Sequence, residues 1–364
     1  MTFAAIGVQT WAIFVEAYRE LSNRKLFWIT LIISGFVALA FAAVGITEKG
    51  ITILHWEFDA PLNTTRMSAA AFYKLMFVQL GINLWLAWAA TILALVSTAS
   101  IFPDFLSGGA VDLWLSKPIS RFRLFLTKYA TGLLFVTLQV TVFTLACFLV
   151  LGLRGGVWAP GIFLAVPLVL CFFSYLFAFC VLFAVLTRST IASLLLTLLV
   201  WFGLFLVNAT ESSLMGIATM PQIQVEQAQR RIEAQRSRPN PNEERIQQLE
   251  EQVRRGTEAR DRMLWWHVWS VRIKTVLPKT AETVELLERR LVALSDLGGG
   301  DDEDEEMIED TPFGTGDPIS SRELQRRVME ERRERSVWWI LGTSLLFEAG
   351  VVGLAALLFS RRDF

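Results

Sequence analysis

Glu348 sits in the run "TSLLFEAGVVG", among residues suited to hydrocarbon. An ionisable group at that depth costs at least roughly 2.5 kcal/mol on insertion scales and marks a candidate functional site. Gln139 and Asn83 are the polar side chains of neighbouring apolar runs that it could meet, with Tyr175 and Ser174 scattered nearby. As a functional group it would be protonated or would meet one of these side chains; the plainer readings are a helix–helix hydrogen bond or a position closer to the outer water. Other chemistry is scarce. His55 and His267 are the only histidines, and neither has a Cys or His at metal-ligand spacing. The chain lacks GxxxxGK[ST], so it is not expected to hydrolyse nucleotide itself. It also lacks GxSxG and HExxH. The acidic tract has no spaced ligands of a calcium loop. No catalytic, cofactor-binding or metal-binding residue is expected, and the chain reads as a non-enzyme.

The elements that would position Glu348 are helices in a bilayer. The 364 residues are 53% hydrophobic and 19% charged, with 27 Phe and 13 Trp, beyond the usual globular range. The net charge of −1 points to neither a nucleic-acid partner nor an acidic substrate. Spanning takes about 20 mainly apolar residues. Six runs qualify: 26–46, 75–101, 129–153, 162–186, 191–207 and 337–359. Only "TRST" separates the fourth from the fifth, which predicts a tight hairpin. Cys147, Cys171 and Cys180 all lie inside these runs and read as small hydrophobes. No cleavable signal peptide is expected, because the first apolar run is about twenty residues long and no small-residue cleavage site follows it.

Orientation follows from cations in the short connections. One side receives Arg19, Arg24, Lys25, Lys117, Arg121, Arg123, Lys128, Arg188, Arg361 and Arg362; the other receives Lys49, Arg66, Lys74 and Arg154. Ten against four places both termini in the cytoplasm and the 47–74 loop and 208–336 insertion outside. The expected class is an all-α integral membrane protein of the cell (inner) membrane. Its segments are an interfacial helix at 1–25, spans one to five at 26–207, the insertion at 208–336, and the sixth span with its cytoplasmic end at 337–364. In the interfacial helix Phe3, Ile6, Ile13, Phe14, Ala17 and Leu21 share a face.

The insertion carries most of the charge. "QIQVEQAQRRIEAQR" reads as helix, "SRPNPN" as a break, and "EERIQQLEEQVRRGTEARDRM" as a second helix with the stripe Ile246, Leu249, Val253, which together predict a helical hairpin. Trp265, Trp266 and Trp269 suit headgroup level, so "LWWHVWSVRIKTVL" reads as interfacial or re-entrant, ended by Pro278. "TAETVELLERRLVAL" is helical. Residues 298–318 have no core-forming pattern and are expected to be disordered. Ser320 to Glu323 forms a capping box.

Between the second and third apolar runs lies "SGGAVDLWLSKPISRFRLFLTKY", with a pair of glycines, a proline and a basic stretch. Physics alone allows two readings: an element that docks into a soluble partner, or a juxtamembrane loop whose cations meet anionic headgroups. This run resembles the first cytoplasmic loop of ABC-2-type transporter permeases in its small-residue start, its "LSKPISR" core and the Lys that opens the third span. The leading "EAYRELSNRKLFW", the six spans, the tight hairpin and the terminal "FSRRDF" agree, and the likeness is greatest to permeases of copper-enzyme maturation and multidrug export. It covers about residues 1–207 and 337–364. The resemblance implies a dimer with a second permease subunit, each binding a separate cytoplasmic ATP-binding cassette subunit that uses ATP and Mg, and a coupling role for this loop. Gly108, Gly109, Asp112, Leu115, Lys117, Pro118 and Arg121 would then lie at the joint. The insertion is much longer than the family's loop there, and it could gate the outer mouth or recruit an extracytoplasmic partner. An alternative is a membrane anchor or adaptor of an envelope complex, working through its stalk.

Overall fold

The computed structural model describes residues 25–59, 63–65, 67–106, 120–237, 241–293 and 335–361, with positions 15, 19, 307–308, 319–320 and 327. The amphipathic leading helix, apart from helical Val15 and Arg19, therefore lies outside the described residues. So do the 107–119 segment, most of the acidic tract and residues 321–323 of the capping box, whose Ser320 is described as a strand residue paired with Met307.

Among the described residues six helices are long and apolar enough to cross a membrane: α1 (Lys25–Ala43), α2 (Ala69–Leu106), α3 (Arg121–Arg154), α4 (Pro160–Thr187), α5 (Thr190–Arg236) and α8 (Val337–Arg361). The chain is thus a mostly helical, multi-pass membrane protein. Two more helices, α6 (Glu243–Val276) and α7 (Thr280–Ala293), lie between α5 and α8 in sequence. At about 1.5 Å per residue, the 19 residues of α1 nearly match a hydrocarbon core about 30 Å thick. Each helix turns large apolar side chains outward, as at Phe36, Leu39, Leu199 and Leu346. That surface would be unstable in water and is at home in lipid.

Caps set where helices start. Ser68 and Ser120 each accept a backbone N–H three residues on, from Ala71 at 3.2 Å and Arg123 at 3.3 Å. The fourth helix ends on Arg188, whose left-handed φ of 55° lets its N–H reach Ala184 O at 2.9 Å before α5 begins at Thr190. Within α2, Phe77–Ala90 winds as a π-helix, and Thr91 Oγ1 donates to Leu86 O five residues back at 2.7 Å. A meander of β1 (Val44–Ile46), β2 (Gly50–Ile53) and β3 (Trp56–Asp59) takes up the end of the first apolar run and the first part of the 47–74 stretch, which was expected only as a loop. Its antiparallel register pairs Val44 with Ile53 and Gly50 with Asp59.

Contacts divide the chain into two units. The first comprises Met1–Phe202, Pro278–Gly299 and Leu341–Phe364; the second comprises Gly203–Leu277 and Gly300–Ile340. In the first, aromatic rings interlock the spans. Phe177 stacks on Tyr129 at 5.2 Å, and it approaches α3 so closely that a Cβ on Gly132 would lie 2.4 Å from its ring. Trp88 and Trp201 stack at 5.0 Å. Tyr73 donates to Val44 O at 2.9 Å, and the Arg154 guanidinium donates to Ala42 O, fastening the starts and ends of spans one to three.

Sequence patterning placed 278–299 in the insertion, yet these residues group with the spans. Lys279, Thr280, Glu282, Thr283 and Leu286 of this stretch are buried. Lys279 and Thr283 find hydroxyl and backbone partners within the first unit, which makes their burial tolerable. The Trp-rich 264–276 stretch continues α6 and does not form a separate re-entrant element.

In the second unit α5 and α6 form the expected hairpin. Ala228 and Ile232 pack against Ile246, Leu249 and Val253. A Cβ on Gly256 would come within 2.7 Å of Val225. Asn242 caps α6 by accepting from Arg245 N at 3.1 Å, with Glu243 and Glu244 in the first turn complementing the helix dipole.

Candidate functional site

Near the middle of α8, the Glu348 carboxyl bonds to two neighbouring spans. Tyr129 Oη on α3 donates to Oε1 at 2.8 Å, and Ser174 Oγ on α4 lies 2.7 Å from Oε2. Ser174 Oγ is also 2.9 Å from Cys171 O, one turn earlier, and Tyr129 Oη is 3.3 Å from Ser174 O. Among the described residues no cation pairs with Glu348.

One turn before Glu348 on the same helix is Ser344, fully buried. It accepts the Lys279 N–H at 3.0 Å, and Lys279 Nζ donates to Thr343 Oγ1 at 2.6 Å. Thr283 Oγ1 donates to Lys279 O at 2.7 Å, closing the first turn of α7. The Tyr175 hydroxyl faces Thr283 and Ser344 without closing a hydrogen bond to either. Side chains from α3, α4, α7 and α8 thus build one polar layer inside an apolar bundle. Such a layer can hold and hand on a proton, or face a polar solute.

The two side chains expected to meet Glu348 lie elsewhere. Asn83 donates to Gln79 on its own helix at 3.4 Å. Gln139 is 2% exposed, and neither end of its amide finds a hydrogen-bond partner among the described residues. Sequence reading missed Tyr129, which opens an apolar run and looked like a boundary residue. It also missed Lys279, hidden in a stretch that looked soluble. Adjacent polar residues Ser174 and Tyr175 in an otherwise greasy run were the available signal.

No family model, curated protein or solved structure matches this chain.

Of the candidate coupling residues, Gly108, Gly109, Asp112, Leu115, Lys117 and Pro118 lie outside the described residues. Arg121 is described. It opens α3 and donates from Nη1 to Ser360 O, at the end of α8, at 3.2 Å. Rings surround this point: Phe102 meets Phe125 at 5.1 Å, and Phe359 meets Phe125 at 5.7 Å and Phe105 at 6.0 Å. Lys128 Nζ sits 5.7 Å over the Phe105 ring. The end of α2, the start of α3 and the end of α8 therefore share a single aromatic cluster.

The second unit contains a buried ion triad that no sequence motif announced. Glu211 Oε2 accepts from Lys274 Nζ at 2.8 Å, and Oε1 accepts from the Arg335 guanidinium. The three side chains are 2%, 6% and 15% exposed. Arg335 also lies 5.7 Å from the Trp339 ring. Among the described residues no three His, Cys, Asp or Glu side chains converge as a metal site.

Proposed function

We propose that this chain is the permease subunit of an ABC transporter, an exporter that moves substrate across the cell membrane with ATP hydrolysed by a separate ATPase subunit. Both termini are cytoplasmic in this reading, and the chain works as a dimer. The observation that carries it is the aromatic cluster of Phe102, Phe105, Phe125 and Phe359, which with the Arg121–Ser360 bond joins the end of α2, the start of α3 and the last turn of α8. In sequence, the run that resembles a coupling loop connects the first two of these helix ends. Force on the segment would reach three spans together. The polar layer around Glu348 suits a path for a polar or amphipathic solute, since buried polar groups in a bilayer mark substrate and ion routes.

The test is co-purification of the full chain from its native membranes, followed by an ATPase assay on any soluble subunit that accompanies it. Replacing Asp112 and Lys117 together should loosen that association at least several-fold. Full retention of the ATPase by the double variant, or no ATPase with the wild-type chain, would end the proposal. An accessible cysteine placed at residue 250 should label from outside only.

A further inference from the structure

Hydrogen counting around Glu348 leads beyond transport in general. A serine hydroxyl carries a single hydrogen. Ser174 Oγ nevertheless makes two short contacts, 2.9 Å to Cys171 O and 2.7 Å to Glu348 Oε2. Tyr129 Oη likewise has two oxygens in reach, Glu348 Oε1 at 2.8 Å and Ser174 O at 3.3 Å. With an ionised carboxyl, two hydroxyl hydrogens must be shared among four acceptor contacts. An acid hydrogen on Oε2, given to Ser174 Oγ, would leave the serine's own hydrogen wholly to Cys171 O and put one hydrogen in each of the three shortest contacts.

The surroundings agree. No cation pairs with Glu348 among the described residues. The direct contacts of 2.7 and 2.8 Å leave no room for a metal ion between the oxygens. An unpaired buried carboxylate would carry a large desolvation cost. The titratable neighbours near enough to sense charge there are Tyr129 on α3 and Cys171 and Tyr175 on α4. Lys279 of the α7 segment faces Thr343, one side of Ser344, and gives its charge-assisted bond there.

We infer that Glu348 is a proton-binding site, carrying its proton in the conformation described and releasing it when α3, α4 and α8 rearrange. On release the proton passes from Oε2 to a water molecule. The Ser174 hydrogen then turns from Cys171 O to the carboxylate, while Tyr129 keeps its bond to Oε1. One proton leaves, no covalent bond other than its O–H is broken, and the donor direction between α4 and α8 reverses. The site would link transport to proton uptake or to local pH.

Infrared difference spectra of the full chain in lipid nanodiscs, between acidic and alkaline buffer, read this directly. At neutral pH the wild type should show the carbonyl stretch of a protonated carboxylic acid that vanishes in Glu348→Gln. The same band should move to higher wavenumber in Ser174→Ala, where the acid loses its acceptor, and in Tyr129→Phe, where Oε1 loses its donor. These two variants keep the test open if Glu348→Gln fails to fold. An acid band untouched by all three, or loss only of ionised-carboxylate bands in Glu348→Gln at neutral pH, overturns the inference. No ATPase is present in this measurement, so its outcome and that of the coupling experiment are separable.

Discussion

Replacing Glu211 by Ala removes the carboxylate that Lys274 and Arg335 share in a buried site. Two charge-assisted hydrogen bonds disappear, each of a kind worth about 1.5–3 kcal/mol. Partial rehydration of the cations returns some of this, and breaking a buried ion pair by removing one partner typically costs about 3–5 kcal/mol. We expect that range for the second unit. At about 1.4 kcal/mol per factor of ten, opening of α6 should become about 100- to 4000-fold more frequent. Hydrogen exchange at amides around Lys274, measured on the full chain in nanodiscs, reports this opening. The triple change Glu211→Leu, Lys274→Met and Arg335→Met should recover most of the protection, because apolar groups of similar size replace the ions without orphaning a charge. Unchanged exchange in Glu211→Ala would refute the claim that the triad holds these helices. Exchange in the triple variant as fast as in the single one would refute the charge argument and point to lost packing.

Gly132→Ala should force Phe177 off its stack with Tyr129, at a cost of about 1–3 kcal/mol as for other overpacked cores; a fall in thermal stability partly restored by adding Phe177→Leu would show it. At the surface of α6, hydrogen bonds from Arg254 and then Arg255 hold the Glu251 carboxyl below its ordinary range. A lowered folded value adds stability above the ordinary carboxylate range that is lost as pH falls through the folded one. Exchange protection of this turn should therefore decline on acidification and in high salt, and Glu251→Gln should remove both dependences. Because the group is fully exposed, the effect should be small.

The six apolar helices and the α5–α6 hairpin were legible because each is written as a long hydrophobic run or as a stripe at helical spacing. Ile246, Leu249 and Val253 point at Ala228 and Ile232 just as their period requires. The α7 segment was not legible. Its Lys279, Glu282 and Thr283 read as solvent-facing, and only partners distant in sequence, such as Thr343 and Ser344, explain their burial. Glu348 stood out by its cost in hydrocarbon, but its partners did not: Tyr129 and Ser174 lie 219 and 174 residues away, and hydropathy says nothing about which face of a span meets which neighbour. The Glu211 triad was hidden for a related reason, its three members marking the edges of apolar or Trp-rich stretches, where charge is ordinary. The meander at 44–59 escaped notice because its strands are three or four residues long.

The turn at Arg188 has a mechanical consequence. Only two residues join Thr187 to Thr190, and the three Cα–Cα steps between them reach about 10 Å when fully extended. Spans four and five consequently cannot slide along each other by more than about two helical turns, and larger motions take them as a coupled pair. Ser174 travels with that pair, whereas Tyr129 and Glu348 belong to other helices. Any shear inside the bundle therefore has a seam already drawn, and it runs through the bond between a serine and an acid.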